Sequence, residues 1–250
     1  MLMRVTRQQM GQMICYEDEA VIVVHKLPFL AVETRDPRQQ DLVSLLANRR
    51  VAKGEPAFIG IVHRLDQPVE GLLVLAKTKE AAARLSESMR EGGFAKEYLA
   101  VVWGVPKESG TLVHTLKKDG KTNTSAVVAK GTVGGREARL SYERLGVLDE
   151  KSLIRIRLDT GRHHQIRVQF SAIGHPLVGD AKYGGVSDAG NRTDGKKCVD
   201  ANKTIQVNPG QPLALCSCRL VFVHPDTGEI MEFTTIPTGT GFEKWKQVIG

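Results

Sequence analysis

The segment IVHRLDQPVEGLLVLAKT, residues 61–78, places a cluster of charged side chains between two strongly apolar runs. His63, Arg64 and Asp66 follow AFIGIV and precede GLLVLA, and both runs are typical of buried strands. A carboxylate between core strands costs free energy unless a positive partner compensates it. The segment therefore predicts a loop of unusual chemistry and a cationic partner for Asp66 elsewhere in the chain.

The backbone after Asp66 is predicted to be irregular. Gln67 and Pro68 follow it directly, and proline fixes its own φ and restricts the residue before it. We expect a rigid turn at a sheet edge that presents Asp66 into a cleft, since loops held by a rigid scaffold often carry function. From these residues alone, a plain turn or capping role for Asp66 stays open.

Length and composition are typical of a soluble globular protein. The chain has 250 residues, of which 41% are hydrophobic and 25% charged, and this suits one large domain or two small ones. We expect no signal peptide and no membrane span, because no apolar run has the required length. Cys15, Cys198, Cys216 and Cys218 fit neither a disulfide framework nor paired zinc knuckles, so we predict reduced thiols in a cytoplasmic protein.

The charge balance favours a polyanionic partner. The formal net charge is +7, which is typical of many proteins that bind nucleic acid. Aromatic residues make up only 5% of the chain, and no aromatic RNA-binding strand motif is visible. A dedicated platform for stacking single-stranded bases is therefore not expected.

Short β-runs dominate the chain, with a few helices between them. Strands are predicted near 20–24, 30–33, 57–62, 71–78, 95–103 and 153–158, and on both sides of the DTG turn near 226–228. Helices are predicted over 42–49, over 79–91 with Thr78 as the cap, and from Arg162 to about 173. This pattern predicts an α+β fold with a mixed, mainly antiparallel central sheet and flanking helices and loops. Residues 185–212 form a polar excursion that either takes part in binding or is disordered.

The segment TGRHHQIRVQF, residues 160–170, supplies a candidate partner for the acid. Arg162 lies at the predicted start of a helix, and Arg167 follows one and a half turns later beside Ile166. An arginine on a half-buried helix needs a carboxylate or phosphate partner.

Two further features have ordinary explanations as well as functional ones. His163 and His164 are adjacent, whereas zinc-binding pairs on a helix are spaced i,i+4, so we predict no metal site. Tyr98 lies in an otherwise apolar strand, where a tyrosine commonly packs with its hydroxyl at the rim of the sheet.

Four segments occur in order along the chain: HRLDQPVEGLLVLAKT, KEYLAVVWG, GRHHQIRVQFSAIGHPLVGDAKYG and LALCSCRLVFVHPDTGEIMEF. Together they resemble the RluA-type family of RNA pseudouridine synthases, over about residues 14–240. The combination of HRLD with GRxHQIR is the specific part of this likeness. Val69 and Glu70 depart from the family pattern, which often has Thr-Ser there, and this difference concerns the RNA contacts of the loop rather than the acid.

The resemblance implies the pseudouridine synthase catalytic fold over residues 14–250, preceded by an extension at 1–13 and without a separate N-terminal RNA-binding module. It implies the following roles: Asp66 as the essential aspartate, Tyr98 packed against the target base, Arg167 in a salt bridge with the aspartate, Arg64 in the space left by the flipped nucleotide, and Ile166 near the base. We also expect His63 and Arg162 to contact the substrate.

The chemistry explains why these residue types are needed. Uridine isomerisation breaks the C1′–N1 bond, turns the uracil and rejoins it through C5, so no cofactor is expected. The base must leave the stack to be reached. An ionised Asp66 is required, either to attack C1′ or to remove the C2′ proton, and a guanidinium in contact favours that ionised form.

Two other functions remain as alternatives. A glycosidase or nucleoside hydrolase also breaks a C1′ bond, but it commonly uses two carboxylates, and the only other acid near Asp66 is Glu70. An RNA-binding protein whose catalysis has lapsed would also fit the basic charge. The expected partner is RNA, a tRNA or rRNA stem-loop, and the expected state is a monomer.

Overall fold

The computed structural model describes residues 4–184 and 212–249, which fold into two compact units. Unit 1 contains residues 4–96 and 216–237, and unit 2 contains residues 97–184, 212–215 and 238–249. The predicted polar excursion lies outside the described residues, except for Pro212 at its end.

The helices, in chain order, are α1 Arg7–Met13, α2 Leu42–Ala52, α3 Lys79–Arg90, α4 Gln165–Ala172 and α5 Lys246–Ile249, with a 3₁₀ helix at Thr240–Trp245. The strands are β1 Ile14–Glu17, β2 Val21–Lys26, β3 Gly60–Ile61, β4 Glu70–Ala76, β5 Phe94–Trp103, β6 Ser109–Asp119, β7 Thr124–Val128, β8 Arg136–Leu148, β9 Lys151–Leu158, β10 Leu215–Val223 and β11 Ile230–Thr234. Within the described residues, no helix is both long and apolar enough to cross a membrane.

The sheet of unit 1 is built around β4. This strand pairs antiparallel with β2 and with the short β3, and it pairs in parallel with β10, which in turn pairs antiparallel with β11. Every residue of β4 is buried. A continuous apolar run with neighbours along both edges is the expected sequence of such a strand. The core on one face includes Val21, Leu72, Val74, Leu85 and Phe222.

Gly71 lets β4 and β10 approach each other closely. Its φ is +118°, and a Cβ atom at this position would collide with the backbone of Ser217 on β10. Only glycine satisfies both the conformation and the close approach. This residue fixes the start of β4, directly after the loop that carries Asp66.

The strands of unit 2 pair antiparallel in the order β5, β9, β8, β6, β7. Helix α4 packs on this sheet, where Val168 meets Leu116 of β6 and Ala138 of β8. Together with the parallel pair in unit 1, these strands confirm the predicted mixed, mainly antiparallel α+β architecture.

Several predicted elements are confirmed. Thr78 caps α3, since its side chain accepts a hydrogen bond from the Ala81 amide. The strand predicted at 95–103 is β5, in which Tyr98 to Val102 are buried on both faces. The strands on both sides of the DTG turn are β10 and β11.

Other boundaries differ from the predictions for local reasons. No strand forms at 30–33, where Phe29 has a φ of +65° and Ala31 makes only an isolated bridge. Of the run at 57–62, only Gly60–Ile61 pairs as a strand. Helix α1 was not predicted, although a capping box between Thr6 and Gln9 marks its start.

Candidate functional site

The seven site residues predicted from the sequence fall into two groups. His63, Arg64 and Asp66 lie in unit 1, in the loop between β3 and β4. The members in unit 2 are Tyr98 on β5, Ile166 and Arg167 on α4, and Arg162 just before α4. Within each unit, hydrogen bonds and packing to neighbouring residues hold these side chains in place.

Asp66 lies in a tight turn and is half-buried. Its carbonyl oxygen accepts a hydrogen bond of 3.0 Å from the Val69 amide, which closes the turn over Gln67 and Pro68. The predicted irregular loop between apolar runs is therefore present.

Lys26 fastens this loop to the end of β2, and the sequence analysis did not identify it. Its side chain is fully buried, and its Nζ donates to the carbonyl oxygens of Leu27 at 2.9 Å, Leu30 at 2.8 Å and Gln67 at 3.1 Å. Because Gln67 directly follows Asp66, the lysine fixes the backbone beside the acid. The signal in the sequence was a lysine at the end of the apolar run VIVVHK, where an uncompensated charge would be costly.

The ammonium group of Lys26 also sets the local electrostatics. Burial lowers the pKa of Lys26 to about 7, while the negative charges of Asp66 and Glu70 act in the opposite direction.

His63 lies inside the packing of unit 1 rather than at its surface. Its Nε2 accepts a hydrogen bond of 3.2 Å from the Val74 amide, and its ring meets Phe94 edge-on at 6.0 Å between centroids. Burial, with a smaller contribution from Lys96, lowers the pKa of His63 to about 3, so the ring is neutral. This geometry gives His63 a structural role beneath the loop, and its contact with the substrate stays a prediction.

Arg64 is exposed on the same loop. Its side chain is 60% accessible, and its Nη1 lies 3.7 Å from Glu33 Oε2, a contact too long for a strong fork pair. The guanidinium is therefore largely accessible to solvent.

Arg167 and Asp180 form a buried ion pair within unit 2. Arg167 Nε donates to Asp180 Oδ2 at 2.8 Å, and Nη2 donates to Oδ1 at 2.7 Å. The Asp180 oxygen Oδ1 also accepts from the amides of Lys182 and Tyr183, and the Tyr183 ring lies 5.1 Å from the guanidinium carbon. The sequence predicted a carboxylate or phosphate partner for Arg167. Asp180 is such a carboxylate, and the sequence analysis did not identify it.

The adjacent histidines support the start of α4. Their rings stack at 3.7 Å, His163 Nδ1 lies 2.8 Å from Ser125 Oγ, and His164 Nδ1 lies 2.7 Å from the Tyr183 hydroxyl. His164, at a φ of +54°, is the N-cap of α4. Among the described residues, no group of three His, Cys, Asp or Glu side chains is arranged to hold a metal ion.

The remaining predicted residues of unit 2 differ in exposure. Tyr98 is buried and stands opposite Ile156 of β9. Ile166 is also buried, whereas Arg162 is exposed, with its Nε donating 2.9 Å to the Glu137 carbonyl. The helix begins three residues later than predicted, because the Gln165 side chain accepts from the Arg162 amide and closes the preceding turn.

Comparison with known sequences gives consistent matches. Residues 20–172 match the model of the family described as RNA pseudouridylate synthase. Ribosomal large subunit pseudouridine synthase D of Vibrio cholerae is 33% identical over 221 residues, which cover 88% of this chain and 65% of that protein. The protein of the same name from Zymomonas mobilis is 34% identical over 226 residues, with 88% of this chain and 67% of that protein covered. The chain thus spans less than two thirds of the length of the Vibrio relative.

Solved structures show the same fold. Human RNA Pseudouridylate Synthase Domain Containing 4 gives a TM-score of 0.69 at 21% identity, over 92% of this chain and 91% of that chain. Human RNA Pseudouridylate Synthase Domain Containing 1 gives 0.65 at 23% identity, over 90% and 82% of the two chains. At these identities the likeness concerns the fold.

Proposed function

Because this chain belongs to the RNA pseudouridylate synthase family, we propose that it isomerises uridine in RNA to pseudouridine. The C1′–N1 bond breaks, the uracil turns in place, and a C1′–C5 bond forms. The proton on C5 is lost to solvent and N1 gains one, so atoms and electrons balance without a co-reactant.

The observation that carries this proposal is the fixed orientation of Arg167. A buried guanidinium held by a carboxylate fork is preorganised, so its remaining N–H donors point in set directions. The family resemblance matches this arginine to the residue that pairs with the catalytic aspartate. We propose that Arg167 directs those donors at the Asp66 carboxylate.

Asp66 is the proposed catalytic carboxylate. It either attacks C1′ or removes the C2′ proton, and both steps need the anion. The turn closed by Val69 and the bond from Lys26 to the Gln67 carbonyl hold the backbone that carries this carboxylate. Such fixed placement of a reacting group accounts for a large part of the rate enhancement in many enzymes.

The other residues are proposed to hold the substrate. Tyr98 and Ile166, both buried and largely apolar, suit the faces of an extruded uracil. Arg64 and Arg162 are exposed cations that suit phosphates or the space left by the flipped nucleotide.

The substrate that we propose is the RNA of the large ribosomal subunit. The Vibrio and Zymomonas relatives are named for that subunit, and a net charge of +7 suits a polyanion. Recognition of folded RNA depends on shape and on single-stranded loops, so a stem-loop is the proposed unit of recognition. We propose that the enzyme acts as a monomer in the cytoplasm.

The test is incubation of the purified chain with large-subunit rRNA and, separately, with bulk tRNA. Nucleosides from the rRNA are separated by liquid chromatography and identified by mass spectrometry. A pseudouridine peak should appear, which has the same mass as uridine but a different retention time. Release of free uracil would instead identify a hydrolase. RNA binding with neither product would identify a binding protein and would contradict the proposal.

A further inference from the structure

Tyr183 is bound to several parts of unit 2 at once. Its phenolic oxygen accepts a hydrogen bond of 2.8 Å from the Ser125 amide on β7 and lies 2.7 Å from His164 Nδ1. Its carbonyl oxygen accepts from Ser171 Oγ at 2.9 Å, near the end of α4. Its amide donates to Asp180 Oδ1 at 3.0 Å. Bonds at the hydroxyl and at both backbone groups fix the position of this residue.

The hydroxyl of Tyr183 binds the residue at which α4 begins. His164 is the N-cap, and its φ of +54° and ψ of +26° lie in the left-handed region. This conformation is uncommon for residues other than glycine and persists where surrounding contacts hold it. Because the phenolic oxygen already accepts from the Ser125 amide, its own proton is left for the bond to His164 Nδ1. The start of α4 therefore depends on this hydroxyl.

The ring of Tyr183 contacts Arg167, which lies in the first turn of α4. The guanidinium carbon lies over the ring at 5.1 Å from its centroid, a distance at which a cation is attracted to an aromatic face. The ring also packs against the apolar cluster beneath α4. The fork from Asp180 and the ring of Tyr183 thus hold the same guanidinium, and the Tyr183 amide in turn binds the Asp180 carboxylate.

We propose that Tyr183 is a positioning residue for Arg167: its hydroxyl fixes the left-handed N-cap of α4, and its ring supports the guanidinium that Asp180 binds. The inference rests on the proposed function for the part that Arg167 plays in the reaction. The contacts themselves lie within unit 2, so they are measurable in the protein without RNA.

The first test follows hydrogen exchange of the Arg167 Nε–H by NMR in ¹⁵N-labelled protein. This proton is buried and bonded to Asp180 Oδ2, so it exchanges with solvent only when the site opens. Tyr183→Phe should speed the exchange by about fivefold or more, as the loss of one supporting hydrogen bond allows. An unchanged rate would overturn the proposal. The signal is identified by its absence in Arg167→Lys.

Tyr142→Phe is the matched control for this comparison. It also removes a hydroxyl from a tyrosine that packs on α4, since the Tyr142 ring meets Phe170 edge-on at 5.3 Å between centroids. The exchange rate of the Arg167 Nε–H should stay at the wild-type value in this variant. A rise equal to that in Tyr183→Phe would show that any loss of packing on α4 has the same effect, and would contradict a specific role for Tyr183.

Tyr183→Leu tests the contribution of the ring. It removes the aromatic face as well as the hydroxyl, so the Arg167 Nε–H should exchange faster than in Tyr183→Phe. Equal rates in the two variants would refute the proposed support of the guanidinium by the ring.

A second variant keeps the test decisive where Tyr183→Phe folds poorly. His164→Gly removes the imidazole, and glycine adopts the left-handed φ without a supporting contact. If the hydroxyl acts through His164, Tyr183→Phe should lower the urea midpoint less in the His164→Gly background than in the wild type. Equal losses in the two backgrounds would show that the hydroxyl acts elsewhere and would contradict the proposal.

Activity supplies the readout for positioning. In Tyr183→Phe, single-turnover pseudouridine formation should slow by about tenfold, while the RNA Kd from filter binding stays within about twofold. Equal losses of rate and affinity would indicate that Tyr183 contacts the RNA and would count against positioning. Faster Nε–H exchange with an unchanged rate would refute a part for Tyr183 in the reaction. A wild-type protein that forms no pseudouridine would refute the proposed function, while the exchange comparison would still decide whether Tyr183 fixes Arg167.

Discussion

Asp180 accepts two parallel hydrogen bonds from the guanidinium of Arg167, from Nε to Oδ2 at 2.8 Å and from Nη2 to Oδ1 at 2.7 Å. The two residues are 13 positions apart, and their side chains are 4% and 0% exposed. The fork uses two of the five N–H donors of the arginine and sets the plane of the group. The direction of the other three donors therefore depends on Asp180.

Asp180→Asn should destabilise the protein and slow the reaction. The amide removes the negative charge from this buried ion pair, and breaking a buried pair costs roughly 3–5 kcal/mol. Urea unfolding measures this loss. Asp159→Asn is the matched control: it breaks the exposed pair with Arg139 and should cost less than about 1 kcal/mol. Equal losses in the two variants would show that the buried fork has no special role.

Arg167→Lys should keep the charge and lose the orientation. An ammonium group cannot make the planar fork to Asp180, so the positive charge no longer has a fixed direction. We expect turnover to fall by about 100-fold or more, as small misplacements of catalytic groups often cause, with a smaller change in RNA affinity. Single-turnover kinetics and filter binding separate the two quantities. Arg157→Lys, in an exposed pair with Glu97, should behave as the wild type.

The burial of His63 predicts that part of the protein's free energy of unfolding is lost at acidic pH. Its pKa is about 3 in the folded protein and near 6.5 when unfolded, so between these values the unfolded chain binds the extra proton. The contribution of His63 to the free energy of unfolding is therefore fully present above pH 6.5. It falls as the pH drops towards 3, by up to about 1.4 kcal/mol per pH unit. Unfolding free energies of His63→Gln should decline less steeply than those of the wild type over this range. Parallel slopes would show that His63 is protonated in the folded state.

Gly71→Ala should be strongly destabilising, because both the φ of +118° and the contact with Ser217 oppose a Cβ atom. Gly92→Ala provides the comparison: it has a φ of +87° but nothing within 4 Å of the added atom. Strain in φ alone costs roughly 1–2 kcal/mol, so the loss for Gly92→Ala should be of this size and the loss for Gly71→Ala clearly larger. Thermal melting of the two variants compares them directly, and similar losses would refute the proposed close approach of β4 and β10.

The sequence predicted those parts of the fold that local pattern determines. The apolar run at 71–76 became the fully buried β4, and Thr78 became the cap of α3, because period and capping chemistry are properties of neighbouring residues. The strand expected at 30–33 did not form. There the carbonyl of Leu30 is turned towards Lys26, a contact that no local pattern encodes.

The partners of the charged side chains were harder to predict. Lys26 and Asp180 were missed because their importance comes from burial and from the groups they meet in the folded chain. The ring of His63 turns inwards to the Val74 amide, a contact that no local pattern encodes, and its predicted contact with the substrate stays a prediction. The pairing of Asp66 with Arg167 stays a prediction based on the family resemblance.

The most direct test of Asp66 as the catalytic carboxylate is pseudouridine formation by Asp66→Asn. RNA that carries tritium at C5 of uridine releases it to solvent as the base is rejoined through C5. We expect rapid release with the wild type and with Asp226→Asn, an exposed control, and no release with a folded Asp66→Asn protein. Tritium release by Asp66→Asn at the wild-type rate would show that this carboxylate does not carry the reaction.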